Sequence, residues 1–448
     1  MTIELPDRLL VRRADGPVIA DVVVPPSKSI ANRALICAAL AEGESEIVGI
    51  APGDDTSAML DCLERLGVVI DVTERDQRLI GTITGNAGVL PDGPINLQTR
   101  LAGTTSRFIT ALAALGAGPY VIDGAPPLRA RPMAPLHNSL AALGARIEPG
   151  EEWGHLPVTV SGPLGGADAV MMPGNVSSQY VSALMMVAPY IRRGMRLGLS
   201  TELVSRPYVE ITRSVMSAFG VDDVDVSERT IHVGEGGYFG TAYTVEPDAS
   251  SASYPLAAAA VAGGAVSVKG LGHGALQGDA KFIDVLVSMG CTATVSSGDM
   301  VVMRRSDTPL RGIDIDMADI SDLVPTMAVV ATQAVTPTRI TGVGFIREKE
   351  SDRLGDLAAE LNKTGAQVIV EDDGLLIVPT DMLHGAVLDT HHDHRLGMAF
   401  GVLGLVVDGI EVNDPSVVSK SWPAFWEALD AIPARHSPRT PVVPHSTP

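Results

Sequence analysis

Hydroxyl and cationic side chains recur in this sequence where an apolar stretch is about to begin. In PPSKSIANRALICAAL, Ser27, Lys28, Ser29 and Arg33 precede a run of small aliphatic residues. The pattern suits a helix that starts at an anion and ends in a core, because a helix N-terminus presents free N–H groups and partial positive charge. Arg100 and Arg107 flank LAGTTS, and Arg395 ends HHDHR. Further cations sit in loops: Arg129 and Arg131 in LRARPMAP, Arg206 in LVSRPY, Lys349 and Arg353 in REKESDR, Lys420 in VVSKSWP. A ligand set with several phosphate and carboxylate groups accounts for them, since Arg grips such groups bidentately and Lys acts as a point charge.

Each cluster taken singly has a structural explanation. Ser, Thr and Asp are favoured N-caps, and REKESDR also reads as a solvated helix start with i,i+4 ion pairs. Capping explains the hydroxyls but not the cations beside them. The histidines of HHDHR, His391, His392 and His394, match no common metal spacing. LAGTTSR is a weak phosphate loop, with Gly103 as its sole glycine and no P-loop lysine after it. The text contains neither a Rossmann fingerprint nor a convincing Ser-His-Asp arrangement.

The elements that must position these side chains repeat. Six segments combine a short strand-like run, a small or polar cluster and a helix of Ala, Leu, Val and Met. Anchored at Ser29, Thr104, Ser177, Ser250, Asp322 and Asp393, they are about 73 residues apart. A second, amphipathic helix series closes on Gly67, Gly144, Gly220, Gly290 and Gly365, the C-cap glycine position. Each unit is predicted as strand, helix, strand, helix and closing strands. Its first helix is buried on nearly all sides and its second keeps one face in water. Six units make a closed α/β architecture and exceed one hydrophobic core, so two domains of three units are expected. The crossover falls near GEGGYFGTAYTV, and the proline-rich end from Pro438 is expected to be a disordered tail.

Composition narrows the function classes. The chain has 448 residues, 46% hydrophobic and 4% aromatic, enough for a large aliphatic core. A net charge of -20 argues against sequence-independent nucleic-acid binding, which needs a basic surface to displace counterions. No apolar run reaches the roughly 18 residues of a membrane helix, and MTIELPDRLLVRRADG carries charges where a signal peptide is apolar. A cytoplasmic location is expected. Cys37, Cys62 and Cys291 are far apart in apolar text and read as core thiols.

Taken together, SKSIANRA, LAGTTSRF, LRARPMAPL, VSSQYVSALMM, LVSRPYVEIT, DASSASY, QGDAKF, KESDRL, DHRLGMAF and SKSWP resemble the 5-enolpyruvylshikimate-3-phosphate synthase family, in order and over nearly the whole chain. The resemblance implies an α/β fold of two domains, each of three repeated β-α-β-α-β-β units, the inside-out α/β barrel of the enolpyruvyl transferases. The first domain is expected at residues 25–245, the second at 1–24 plus 246–435, and the tail at 436–448. The implied reaction moves the enolpyruvyl group of phosphoenolpyruvate to the 5-hydroxyl of shikimate 3-phosphate and releases phosphate, a step of aromatic amino-acid biosynthesis. No metal or organic cofactor is implied. The implied partners are the two small substrates alone, with no nucleic acid or membrane, and the protein is expected to be a monomer.

Site roles follow from the same resemblance. Ser29 and Arg33 match the shikimate carboxylate site; Ser177, Ser178, Ser205 and Lys349 match the 3-phosphate site, with Tyr208 beside that substrate. Lys28, the Gly103 N–H, Arg131, Gln179 and Lys420 match the phosphoenolpyruvate phosphate site, and Arg353 with Arg395 the clamp on its carboxylate. Asp322 matches the acid that orients and deprotonates the 5-hydroxyl. Glu350 matches the group that handles the methyl proton, with Lys28 as an acid. The site is also where glyphosate, the family's inhibitor, is expected.

Three positions depart from the family pattern: Arg100 stands where glycine is frequent, Leu101 where asparagine is common, and Phe345 where an asparagine faces the shikimate hydroxyls. Two rivals remain. A UDP-N-acetylglucosamine enolpyruvyl transferase shares the fold but is expected to carry a loop cysteine, which LRARPMAP lacks. A non-catalytic repeat scaffold would carry the cations as surface decoration.

Overall fold

The computed structural model describes residues 5–432 apart from 76–77 and 166, so the expected tail at 436–448 lies outside the described residues. Among the described residues, five four-stranded sheets and one three-stranded sheet surround two separate cores. Each sheet contains one parallel pair, such as Ile95–Gln98 beside Tyr120–Asp123, and at least one antiparallel neighbour. In four of the sheets a helix crosses between the strands of the parallel pair, and in five the antiparallel partners follow the second helix.

The first helix of each unit lies inside its core. Lys28–Leu40, Gly103–Ala113 and Ser178–Val187 pack on one another in one core; Ala249–Ala262, Val324–Ala331 and His394–Gly404 do so in the other. Small side chains allow the close approach: in ASSASYPLAAAAVA only the last residue is not buried. A fully buried leucine such as Leu35 or Leu184 contributes about 1.5–3 kcal/mol of burial. The second helices are two-faced, as Asp54–Arg65 shows with Met59, Cys62 and Leu63 buried and its other side open. Gly67, Gly144, Gly220, Gly290 and Gly365 all have positive φ, which ends the helices where a Cβ would be strained.

Two details differ from six identical units. The first strands of units one and four are exchanged: Val18–Val22 pairs with Gly264–Lys269, and Ala242–Thr244 pairs with Glu44–Ile50. The chain therefore crosses between the cores twice. The crossings pair with each other, Ser27 N–H donating to Glu246 O and Asp248 N–H to Pro25 O, each at 2.8 Å. The sixth sheet has only three strands, and its antiparallel strand is Arg8–Leu10, from the start of the chain. The buried set spanning Ile30 to Val245 forms one core; Val11 to Val24 joins Ala249 to Ile432 in the other. Cys37, Cys62 and Cys291 are free and buried. No described helix is long and apolar enough to cross a membrane.

Candidate active site

Between the cores lies a cleft into which five of the six first-helix starts open. Its walls include Lys28 and Ser29, Gly103 and Thr104, Ser177 and Ser178, Ser321 and Asp322, and His394 and Arg395. The fourth start does not reach it: Asp248 caps its own helix, accepting from Ser251 N–H at 2.7 Å, and Ser250 donates to the buried Asp279. Capping and ligand placement coincide elsewhere. Ser177 accepts from Gln179 N–H at 3.3 Å while lining the cleft, whereas Gly103–Ala113 starts after Ala102, which has no side chain able to cap.

Every residue that the sequence assigned to the site lines this cleft except Lys420, whose Nζ reaches it through Glu350 Oε1 at 2.8 Å. Arg33, Arg131, Gln179, Ser205, Tyr208, Lys349 and Arg353 are among the wall residues. Of the other cations singled out by type, Arg107 also lines the cleft and three do not converge on it. Arg129 pairs with Asp123, Arg100 with Asp61, and Arg206 lies near Glu210 on the outside. Arg100 has φ +52°, a conformation that favours glycine, and its side chain turns away from the cleft.

The cations fall into two groups. Some are held by carboxylates: Lys28 by Asp55 at 2.8 Å, Arg353 by Asp393 at 2.6 Å and Asp322 at 2.9 Å, Arg395 by Asp322 at 2.6 Å. The rest, Arg33, Arg107, Arg131 and Lys349, have no carboxylate within 4.0 Å among the described residues. Arg33 donates to Thr212 Oγ1, Ser182 Oγ and Ser29 O, and its guanidinium lies 5.2 Å from the Phe108 ring centre. Burial lowers Arg33 to about 10 and Arg131 below its usual value. Burial likewise pushes Lys349 down to about 8, partly countered by Asp322, and its Nζ lies 5.5 Å from the Phe345 ring centre. Uncompensated positive charge on buried Arg33 and Arg107 and half-buried Arg131 and Lys349 favours an anionic ligand.

The carboxylates divide the chemistry. Burial alone would raise Asp322, but Arg395 and Arg353 outweigh it and hold the acid below the usual carboxylate range. Tyr208 also donates to its Oδ2 at 3.2 Å. Glu350 is half-buried, yet is held below the usual carboxylate range by His394, whose Nδ1 is 2.9 Å from Oε2, and by the Lys420 charge. Burial lowers the His394 imidazole, and Glu350 partly counters it. Lys28 is raised despite burial, first by Asp55 and then by Glu350.

Glu350, Asp393 and His394 come close enough together to hold a metal ion, but Lys420 and Arg353 already neutralise the two carboxylates. Asp55, Thr104, Arg107, Phe345 and His394 line the cleft without a role from the sequence. Four of these had a signal: Arg107 as a cation flanking LAGTTS, Thr104 as a repeat anchor, Phe345 as a departure from the family pattern and His394 by its place beside Arg395; Asp55 had none, because PGDDT reads simply as an acidic helix start.

Gly103 shows why a residue without a side chain stands here. A Cβ would lie 2.7 Å from Arg107 Nη1 and 2.8 Å from Arg131 Nη1, and the backbone has no left-handed requirement. The space belongs to two guanidinium groups.

Fold and cleft together define a two-core α/β enzyme that binds small polyanions. The family model of EPSP synthase (3-phosphoshikimate 1-carboxyvinyltransferase) matches residues 13–429. A 3-phosphoshikimate 1-carboxyvinyltransferase of Methanoculleus marisnigri is 41% identical over 416 residues, 92% of this chain and 97% of the relative. One from Trichormus variabilis is 39% identical over 421 residues, 94% and 98% of the two chains. The EPSP synthase structure from Acinetobacter baumannii superposes with a TM-score of 0.79 at 25% identity, covering 95% of this chain and 98% of that one. The chain belongs to the EPSP synthase family.

Proposed function

We propose that this cleft transfers the enolpyruvyl group of phosphoenolpyruvate to the 5-hydroxyl of shikimate 3-phosphate and releases phosphate. The observation that carries the assignment is the convergence of cations from both cores on one cleft that also holds Asp322 and Glu350. Arg33 with Ser29 receives the shikimate carboxylate, and Ser177, Ser178, Ser205 and Lys349 receive the 3-phosphate beside Tyr208. Lys28, the Gly103 N–H, Arg131, Gln179 and Lys420 take the second phosphate, and Arg353 with Arg395 the second carboxylate. Phe345 offers no hydrogen bond where an amide is expected, so the hydroxyl contact there is lost.

Lys28, held charged, donates a proton to the methylene carbon of phosphoenolpyruvate. The resulting cationic C2 is attacked by the 5-hydroxyl as Asp322 accepts its proton. Glu350, held ionised, then removes a proton from the new methyl group while the C2–O bond to phosphate breaks and its electron pair leaves on phosphate. Of the two protons then on Asp322 and Glu350, one returns to Lys28 and the other departs with phosphate.

We take residues 25–245 and 1–24 with 246–435 as domains that close on the substrates about the paired crossings, excluding water from these charges. The same assignment has a monomer in the cytoplasm with no membrane partner and no nucleic-acid partner, the last supported by the charge of -20. The test is phosphate release measured with each substrate alone and with both. Release only with both supports the transfer; release with phosphoenolpyruvate and a UDP-aminosugar instead would assign the chain to the rival transferase.

A further inference from the structure

We infer that Glu360 is a positioning residue for the arginine pair: it fixes the loop leading to Arg395 against the helix that follows Arg353. This rests on the assignment of Arg353 and Arg395 to the phosphoenolpyruvate carboxylate.

Glu360 lies on the Gly355–Asn362 helix, is 2% exposed and is not part of the cleft wall. A carboxylate buried to that degree needs partners, and two of its three come from the other segment. Its Oε2 accepts from the backbone N–H of Asp389 at 2.9 Å, and its Oε1 is 2.9 Å from His391 Nε2. Lys363 Nζ lies 2.8 and 2.6 Å from the two oxygens and balances the charge.

The loop needs such an anchor. His391 and His392 have φ of +49° and +58°, a left-handed pair that residues with a Cβ avoid unless their surroundings hold them. Immediately afterwards Asp393, fully buried, accepts from Arg395 N–H at 2.9 Å and from Arg353 Nε at 2.6 Å. The segments that carry the two arginines are thus joined inside the site, at Asp393 and through His394 to Glu350, and again at Glu360 behind it. Joints on the cleft side alone would leave a pivot, whereas the one behind sets the relative orientation of the guanidinium groups. HHDHR uses its first and last histidines as hydrogen-bond partners, His391 to Glu360 and His394 to Glu350.

The experiment is steady-state kinetics of the full chain with each substrate varied, alongside melting temperature, for wild type, Glu360→Gln, His391→Ala and His391→Gln. Groups that orient the ligands of a metal site change affinity or activity by about 10- to 100-fold when removed, and the same order is expected for a group that orients the arginines. Glu360→Gln and His391→Ala should raise KM for phosphoenolpyruvate by about 10-fold and leave KM for shikimate 3-phosphate within about twofold. His391→Gln, whose amide N–H can donate to the same carboxylate, should restore most of the loss. If Glu360→Gln does not fold, the two His391 variants decide. A lower melting temperature with both KM values unchanged, or an equal rise in both, overturns the inference. Arg395→Lys measured in parallel separates the failures. A selective rise there, with none in the Glu360 and His391 variants, defeats only the positioning role. No selective rise in Arg395→Lys defeats the clamp assignment itself.

Discussion

Asp322 Oδ2 and Arg395 Nη2 are 2.6 Å apart, so the proposed general base and half of the proposed carboxylate clamp are partners of each other. Arg353 completes the arrangement at 2.9 Å from Oδ1. While both arginines hold it, Asp322 is a weaker base than an ordinary carboxylate. A substrate carboxylate competes for the same N–H groups, and any hydrogen bond it draws away returns basicity to Asp322. The base would then be strongest when both substrates are present.

Asp322→Asn should therefore leave both substrates bound and lower kcat by about 100-fold or more, the usual worth of general-base assistance. Equilibrium binding and single-turnover rates check this together. Normal turnover with weakened binding would move Asp322 from chemistry to recognition.

Arg395→Lys should raise KM for phosphoenolpyruvate by about 10-fold, well beyond any change for shikimate 3-phosphate, because a point charge cannot replace a planar fork on a carboxylate. Initial rates over a grid of both substrate concentrations give the two constants. Equal changes would place Arg395 outside the clamp.

Gly103→Ala should weaken phosphoenolpyruvate and glyphosate while sparing shikimate 3-phosphate. The new methyl would meet Arg107 and Arg131 at under 3 Å, and guanidinium groups can yield to it only by leaving their positions. Since the backbone at Gly103 is not left-handed, the fold itself should tolerate alanine. Titration calorimetry with each ligand and a melting curve would test this; a large loss of stability with unselective loss of binding would contradict it.

Lys349 sets a pH dependence. Its pKa is pushed down to about 8 by burial, so the free site holds its positive charge below pH 8 and loses it above. A bound 3-phosphate favours the charged form, so shikimate 3-phosphate affinity should be full below pH 8 and fall by up to tenfold per pH unit above it. The same shift acts on folding with the opposite sign: the unfolded lysine keeps its proton to higher pH, so this group's contribution to stability rises from pH 8 toward its ordinary value near 10.5. Dissociation constants measured from pH 6.5 to 9.5 check the binding arm, and Lys349→Arg should flatten the curve. A flat curve in the unaltered protein would remove Lys349 from the phosphate site.

Much of this was legible in the chain because it repeats. The spacing of polar clusters and C-cap glycines gave six units, and the unbroken aliphatic character of ASSASYPLAAAAVA and its counterparts marked helices with no wet side. Local chemistry is enough for such features: a glycine in a left-handed position or a helix apolar all round reports its environment through its own residues. Motif resemblance extended this to Asp322, Glu350 and the arginines.

The tertiary structure decided what depends on residues far apart in sequence. Arg129 and Arg131 look alike in LRARPMAP, yet one pairs with Asp123 while the other faces the cleft. PGDDT gave no sign that Asp55 would meet Lys28, and HHDHR none that His391 would meet the buried Glu360. The exchange of first strands between units one and four is likewise unreadable locally, because Val18–Val22 has the same pattern whichever sheet it joins. Sequence by itself determined the elements and the kinds of charge they carry, since propensity and periodicity act over a few residues. Only the folded chain decided which charges compensate one another and which remain for a ligand, since Coulomb and desolvation energies depend on distance and burial in space.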